Sequence, residues 1–278
     1  MSNPKIWLVT GASSGFGRAI TTAAIDAGDT VIAVARRTAA LDDLVADHPD
    51  QVEALALDVT DTGRIDAAIA DIVARYGRID VLVNNAGRTQ VGAVEETTDG
   101  ELRDLFDLHF FGPAALTRAV LPQMRTQGSG AIVMMSSVGG QLSFAGFSAY
   151  SATKFALEGF SEALAEEVAP FGIRVLVVEP GAFRTGLFGP GAAYFSAENA
   201  IYAETAGATR RMVETGDGAQ PGDPAKAAAA IRAALEAERT PLRLPLGDDA
   251  VDGVLIHLDA VRTEVTEWEK VARATAFE

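Results

Sequence analysis

The chain has 278 residues, 48% hydrophobic and 22% charged, with three histidines, no cysteine and a net charge of −15. That length suits one large α/β domain with a sizeable core, and the acidity disfavours nucleic acid and anionic membrane surfaces as partners. The missing cysteine removes disulfides, thiolate chemistry and cysteine metal sites, and the scattered His48, His109 and His257 offer no metal-ligand spacing. No basic segment followed by an apolar run opens the chain, and no apolar stretch reaches the roughly 20 residues that span a bilayer. A cytoplasmic protein without a metal is therefore expected.

In chain order, an apolar strand is predicted over Ile6–Val9. It runs through Thr10 into the turn Gly11-Ala12-Ser13-Ser14-Gly15-Phe16-Gly17, and a helix follows over Gly17–Ala27. Gly11 permits a tight turn, while Gly15 and Gly17 let backbone approach a pyrophosphate resting on the helix N-terminus. The spacing is G-x-x-x-G-x-G rather than the common G-x-G-x-x-G, and an ordinary strand-turn-helix is the plain alternative. The second strand, Thr30–Ala35, ends without the acid that would grip the ribose hydroxyls of NAD. Arg36 and Arg37 follow at once, and guanidinium groups suit a 2′-phosphate, so NADP(H) is expected over NAD. As a bland alternative, the two arginines begin a solvated helix.

Further strands are predicted over Val52–Leu57, leading to Asp58 and Val59, and over Val81–Val83, leading to Asn84-Asn85-Ala86-Gly87. The last two are Ala131–Met135, leading to Ser137, and Arg174–Val178, leading to Pro180-Gly181. Helices fall over Ala39–Asp47, Gly63–Tyr76, Gly100–Gln127, where Gly112-Pro113 interrupts the pattern, and Ser151–Val168. Strands apolar on both faces and separated by helices predict a doubly wound, Rossmann-type parallel sheet covered on both sides. Ligands of such sheets bind beyond the carboxyl ends of the strands. Gly11, Ala35, Asp58, Asn85, Ser137 and Pro180 all follow or end a strand, so they converge on that edge.

Tyr150 and Lys154 stand four residues apart, on one face of a helix. A free phenol, with a pKa of about 10, is a poor base at neutral pH. A neighbouring cation is expected to lower that pKa and let the tyrosine exchange a proton. Ser137, at the end of a buried strand, can donate a hydrogen bond to a substrate oxygen. Taken alone, a Y-x-x-x-K pair is more often a solvated helix face.

The sequence Thr10-Gly11-Ala12-Ser13-Ser14-Gly15-Phe16-Gly17, the Asn84-Asn85-Ala86-Gly87 turn, Ser137, Tyr150, Lys154 and Pro180-Gly181 together resemble a short-chain dehydrogenase/reductase. The resemblance runs from about residue 4 to about residue 190. It implies that Ser137 polarises a carbonyl, Tyr150 exchanges the proton, and Lys154 tunes Tyr150 and holds the ribose. It further implies that Ser13, Ser14 and Phe16 of the glycine loop, with Asp58 and Val59, contact the cofactor. Asn85, Ala86 and Gly87 wall it, while Pro180, Gly181, Phe183 and Thr185 shape the nicotinamide pocket. Asp58, Asn85 and Pro180-Gly181 serve equally well as turn residues. One departure stands out. Where the family commonly places an asparagine that helps hold a relay water, this chain has His109, for which a relay role and a structural role remain equally open.

Residues 186–222, rich in glycine and bearing Phe188, Tyr194, Phe195 and Tyr202, are expected to form a substrate loop or lid within a single domain. The core would be residues 1–185, and a C-terminal region would run over 223–278. There Val251, Leu255, Leu258, Val261, Val265 and Trp268 recur at helical spacing. This amphipathic helix is expected to cover an edge and limit assembly to a monomer or homodimer. The expected activity is NADP(H)-dependent interconversion of a small-molecule carbonyl and a primary or secondary alcohol. The alternatives are a cofactor-binding sensor with weak turnover and a 3-oxoacyl-thioester reductase, the latter poorly matched in charge to an acidic carrier.

Overall fold

The computed structural model describes residues 4–277. Its main sheet comprises β1 (Ile6–Thr10), β2 (Thr30–Ala35), β3 (Val52–Ala56), β4 (Val81–Asn84), β6 (Gly130–Met135), β7 (Ile173–Pro180) and β9 (Arg243–Leu246). All seven strands are parallel, in the order β3-β2-β1-β4-β6-β7-β9. The chain winds outward from β1 to β3, then crosses back to start the other half at β4. A crevice therefore opens beyond the carboxyl ends of β1 and β4.

The apolar alternation of the strands builds one core on each face. Trp7, Val9, Val31 and Ala33 pack with Ile20 and Ala24 of α1 (Gly15–Asp26) and with Ile231 and Leu235 of α8 (Pro224–Glu236). Leu8, Ile32, Leu82 and Ile132 point the other way. They meet Ile65, Ile69 and Ile72 of α3 (Ile65–Tyr76), Leu116 and Val120 of α5 (Gly112–Gln127), and Leu157 and Leu164 of α6 (Ser148–Val168). Each large side chain buried this way contributes about 1.5–3 kcal/mol. The short α2 (Asp42–Asp47) follows β2 and places Leu44 in the first core.

Four features differ in detail from the sequence reading. The expected helix over Gly100–Gln127 is α4 (Asp99–Phe106) joined to α5 through a wide π turn, Asp107–Phe111. Pro113 has no N–H for the carbonyl four residues back, so the regular ladder cannot run through this point. Strand β9 lies outside the six predicted strands; its Pro245 is tolerated at the sheet edge, where β9 pairs only with β7. The 186–222 segment is partly regular, with β8 (Ala193–Phe195) pairing β5 (Thr89–Val91) and with α7 (Ala206–Thr215) behind it. The C-terminal stripe does form a helix, α9 (Asp248–Arg273), but only its Ala250 and Val254 are buried, and Leu255, Leu258, Val261, Val265 and Trp268 are exposed. Its packing on the chain's own body thus stops after the first two turns. No described helix is long and apolar enough to cross a membrane.

Polar ties fix the start of the sheet. Asp29, buried just before β2, accepts from the Lys5 backbone N–H and from the indole N–H of Trp7, both at 2.9 Å. Asp29→Ala leaves two donors unpaired and is expected to lower the unfolding free energy by about 2 kcal/mol. Urea melts check this, and an unchanged midpoint at unchanged slope would contradict it.

Candidate active site

The turn after β1 forms the floor of the crevice. The Thr10 hydroxyl donates to the Val83 carbonyl at 3.1 Å and accepts from the Asn85 and Ala86 N–H groups at 2.8 and 3.0 Å. The Asn85 amide donates to the carbonyl of Thr10 at 2.8 Å. Gly11 and Gly15 take left-handed φ values of +64° and +52°, which side chains resist. A Cβ on Gly17 would lie 2.2 Å from the Gly11 carbonyl oxygen and 2.6 Å from the Asn85 amide nitrogen. Gly17 therefore serves closure of the loop itself. Ser14 caps α1 without a side-chain bond, and no acid lies in the first turn. The first N–H groups of that helix are thus available to an anion.

The crevice is a cleft of about 790 Å³ that brings most of the expected residues together. One end holds Gly11, Ser13, Ser14, Gly15 and Phe16, with Arg36 and Arg37 exposed at the rim. Asp58 and Val59 line the same end. Burial works against the Asp58 carboxylate. Even so, bonds from the Thr60 N–H and hydroxyl, with the Arg36 charge nearby, hold its pKa below the ordinary value. Asn85, Ala86 and Gly87 form one wall, and Pro180, Gly181, Phe183 and Thr185 form the other. Phe183 packs its ring 5.1 Å from that of Phe16, tying the segment after β7 to the glycine loop. Asp249, which the sequence did not mark out, accepts from the Ala182 N–H at 2.8 Å and fixes that segment from outside.

Ser137, Tyr150 and Lys154 share the inner end of the cleft with His109. Ser137 follows β6, and its Oγ accepts from the Gly139 N–H at 3.0 Å, so its own proton remains free to donate. Lys154 is buried, and its ammonium donates to the Met135 carbonyl at 2.8 Å. Burial pulls its pKa down to about 8, with the Glu158 carboxylate working the other way. Tyr150 keeps part of its surface open to the cleft. Burial around its hydroxyl raises the phenol pKa above the ordinary value, opposed by the Ser137 hydroxyl. This corrects the expectation of a phenol lowered by the lysine. The ammonium nitrogen lies 5.6 Å from the centre of the Tyr150 ring and is bonded to a carbonyl, so desolvation dominates.

His109, in the π turn, is buried with both ring nitrogens engaged. Nε2 accepts from the Arg88 N–H at 3.2 Å, which leaves the proton on Nδ1 to bond the Thr153 hydroxyl at 2.9 Å. That hydroxyl donates to the Tyr150 carbonyl at 2.7 Å. Burial, then the Lys154 and Arg88 charges, push the imidazole pKa well below its ordinary value. The histidine is therefore a neutral brace between the turn after β4 and helix α6, with its ring 5.6 Å from that of Tyr150. Thr153 has no sequence signature beyond its place between Tyr150 and Lys154, and its part is visible only once His109 is seen beside it.

Residues 5–192 match the family described as short chain dehydrogenase, and the chain belongs to that family. It is accordingly an oxidoreductase with a Rossmann-type fold. It is similar to a solved short-chain dehydrogenase from Streptomyces avermitilis at 72% identity, over 99% of this chain and 100% of that one, with a TM-score of 0.94. A solved metagenomic short-chain oxidoreductase in complex with NADP is 33% identical, over 65% of this chain and 83% of that one, with a TM-score of 0.61. The oxidoreductase BOA17 of Botryotinia fuckeliana is 37% identical over 273 residues, 98% of this chain and 99% of that protein.

His109→Asn is expected to keep most of the turnover, because an amide can still brace the turn after β4. It should also leave the pH–rate profile unchanged in shape around neutral pH, since burial holds the imidazole well below its ordinary value. A titration that disappears from the profile in this variant would contradict the neutral-brace role.

Proposed function

We propose that the protein is an NADP(H)-dependent reductase that interconverts a carbonyl and an alcohol. The observation that carries this reading is the layout of the cleft. An uncapped helix N-terminus and two exposed arginines stand at one end, and Ser137, Tyr150 and buried Lys154 at the other. The residues present fit the cofactor. The α1 N-terminus suits a pyrophosphate, Arg36 and Arg37 suit a 2′-phosphate, and no acid ends β2 to repel it. The NADP held by the metagenomic relative supports the same choice. When bound, the nicotinamide supplies or takes up the hydride.

The chain's own groups then manage the oxygen and the proton. The free proton of Ser137 bonds the substrate oxygen and stabilises the charge that develops there. A phenol kept protonated by burial is a proton donor at neutral pH, so Tyr150 protonates that oxygen when a carbonyl is reduced. Lys154 places positive charge behind the donor and favours the phenolate left after transfer. Phe188 and Tyr194 of the 186–222 segment line the cleft, and the Arg88 guanidinium lies 4.0 Å over the Tyr194 ring. These walls favour a substrate that is apolar in part.

Tyr150→Phe is expected to lower carbonyl-dependent NADPH oxidation by about 10²–10⁴-fold while leaving NADPH affinity nearly unchanged. Retention of more than about a tenth of the rate would remove the tyrosine from the acid role. Arg36→Ala should weaken NADPH by about 1–3 kcal/mol, the strength of a charge-assisted hydrogen bond, and leave NADH almost untouched. Equal losses for the two cofactors, measured by fluorescence titration, would show that Arg36 does not read the phosphate.

A further inference from the structure

Behind the catalytic stretch of α6 the fold buries two carboxylates. Glu158 follows Lys154 by one helical turn on the same face, and Glu179 is the penultimate residue of β7; they are 5% and 1% exposed. The Gln141 amide donates to Glu179 at 2.7 Å and to Glu158 at 3.4 Å. Arg243 of β9 donates through Nε to Glu158 at 3.1 Å, with Glu179 at 3.6 Å, and its Nη2 turns outward to the more exposed Glu162 at 2.5 Å. Asp249 of α9 is occupied with the Ala182 N–H.

One guanidinium, itself shared with Glu162, thus faces two buried carboxylates. Two full negative charges in that space repel each other at low dielectric. A single proton held between them removes the repulsion and supplies a donor. Burial first, then the Glu158 charge, push Glu179 up to about 7, and burial raises Glu158 as well. Two buried atoms are left without a hydrogen-bond partner here, the Ser136 hydroxyl and Glu158 Oε1. Both face Gly140, where an added Cβ would lie 2.5 Å from the first and 3.2 Å from the second. Ser136 directly follows Met135, whose carbonyl holds the Lys154 ammonium.

We propose that Glu158 and Glu179 share one proton and act as positioning residues that set the charge of Lys154 from behind the catalytic helix. This rests on the reductase reading for its link to turnover. At acid and neutral pH the pair carries one negative charge. As the shared proton leaves, the second charge appears beside Lys154 and holds its ammonium in the charged form where burial alone would release it. His109 cannot take this part, because both of its nitrogens are bonded to protein groups.

Glu179→Gln and Glu158→Gln test the proposal, and an amide can keep the hydrogen bond that the shared carboxylic acid makes. The first measurement, unfolding free energy against pH, needs no activity. A carboxyl raised from 4.5 to about 7 in the folded state stabilises fully below 4.5 and loses that contribution as the pH climbs from 4.5 to about 7. Wild type should show this decline, Glu179→Gln should lack it, and Glu158→Gln should show it reduced, because Glu179 then keeps only the share that burial contributes. The second measurement is kcat against pH for NADPH-dependent carbonyl reduction. Variant and wild type should agree near pH 6, and the variant should fall about three- to tenfold below by pH 8.5 with KM unchanged. Parallel stability curves would overturn the shared proton. Different stability curves with superimposed rate profiles would overturn its coupling to Lys154. An inactive wild type would refute the reductase reading, while the stability curves would still decide whether the proton is shared.

Discussion

A buried ammonium must be bonded, and the way Lys154 meets that demand organises the inner end of the cleft. Its bond to the Met135 carbonyl pins the end of β6 against α6. Ser137, two residues past that carbonyl, and Tyr150, one turn before the lysine, are thereby held on facing backbones. Tyr150 stands within α6, and Ser137, just past β6, is held by the Gly139 N–H. The same burial keeps the phenol protonated and draws the ammonium down toward the neutral range. Desolvation thus drives apart two pKa values that are nearly equal in water, the phenol upward and the ammonium down to about 8.

Smaller polar ties hold the rest of the crevice to this pair. The Thr10 hydroxyl knots the end of β1 to the turn after β4, and His109 braces that turn to α6 through Thr153. Pro113, which cannot complete the helix ladder, lies two residues past the π turn that carries His109. A helix break and a substituted family position therefore lie together. Together these ties let a parallel sheet, which supplies only the common edge, present side chains from β1, β4, β6 and β7 as a single surface.

Much of this was legible in local pattern. Apolar runs separated by helices gave the parallel sheet and its ligand edge, and the glycine turn, Ser137, Tyr150 and Lys154 lie in one cleft. What stayed hidden was decided by partners far apart in the chain. Strand β9 carries Pro245, which its edge position tolerates. The sign of the Tyr150 shift depends on burial, which a four-residue spacing does not report. Glu158 and Glu179 read as ordinary acids until Gln141 and Arg243 are seen around them. The stripe on α9 announced a helix, yet its exposure past Val254 could not be read from spacing, because a stripe does not name what covers it.

The account turns on a phenol held neutral by burial beside a buried ammonium. Its most direct measurement is the ultraviolet difference titration of the ligand-free protein, wild type minus Tyr150→Phe, which isolates the ionisation of this one tyrosine. The account predicts that the phenolate appears only above the ordinary value of a free tyrosine, about 10. A phenolate that forms below that value would contradict it, and would show that the Lys154 charge, rather than desolvation, governs the site.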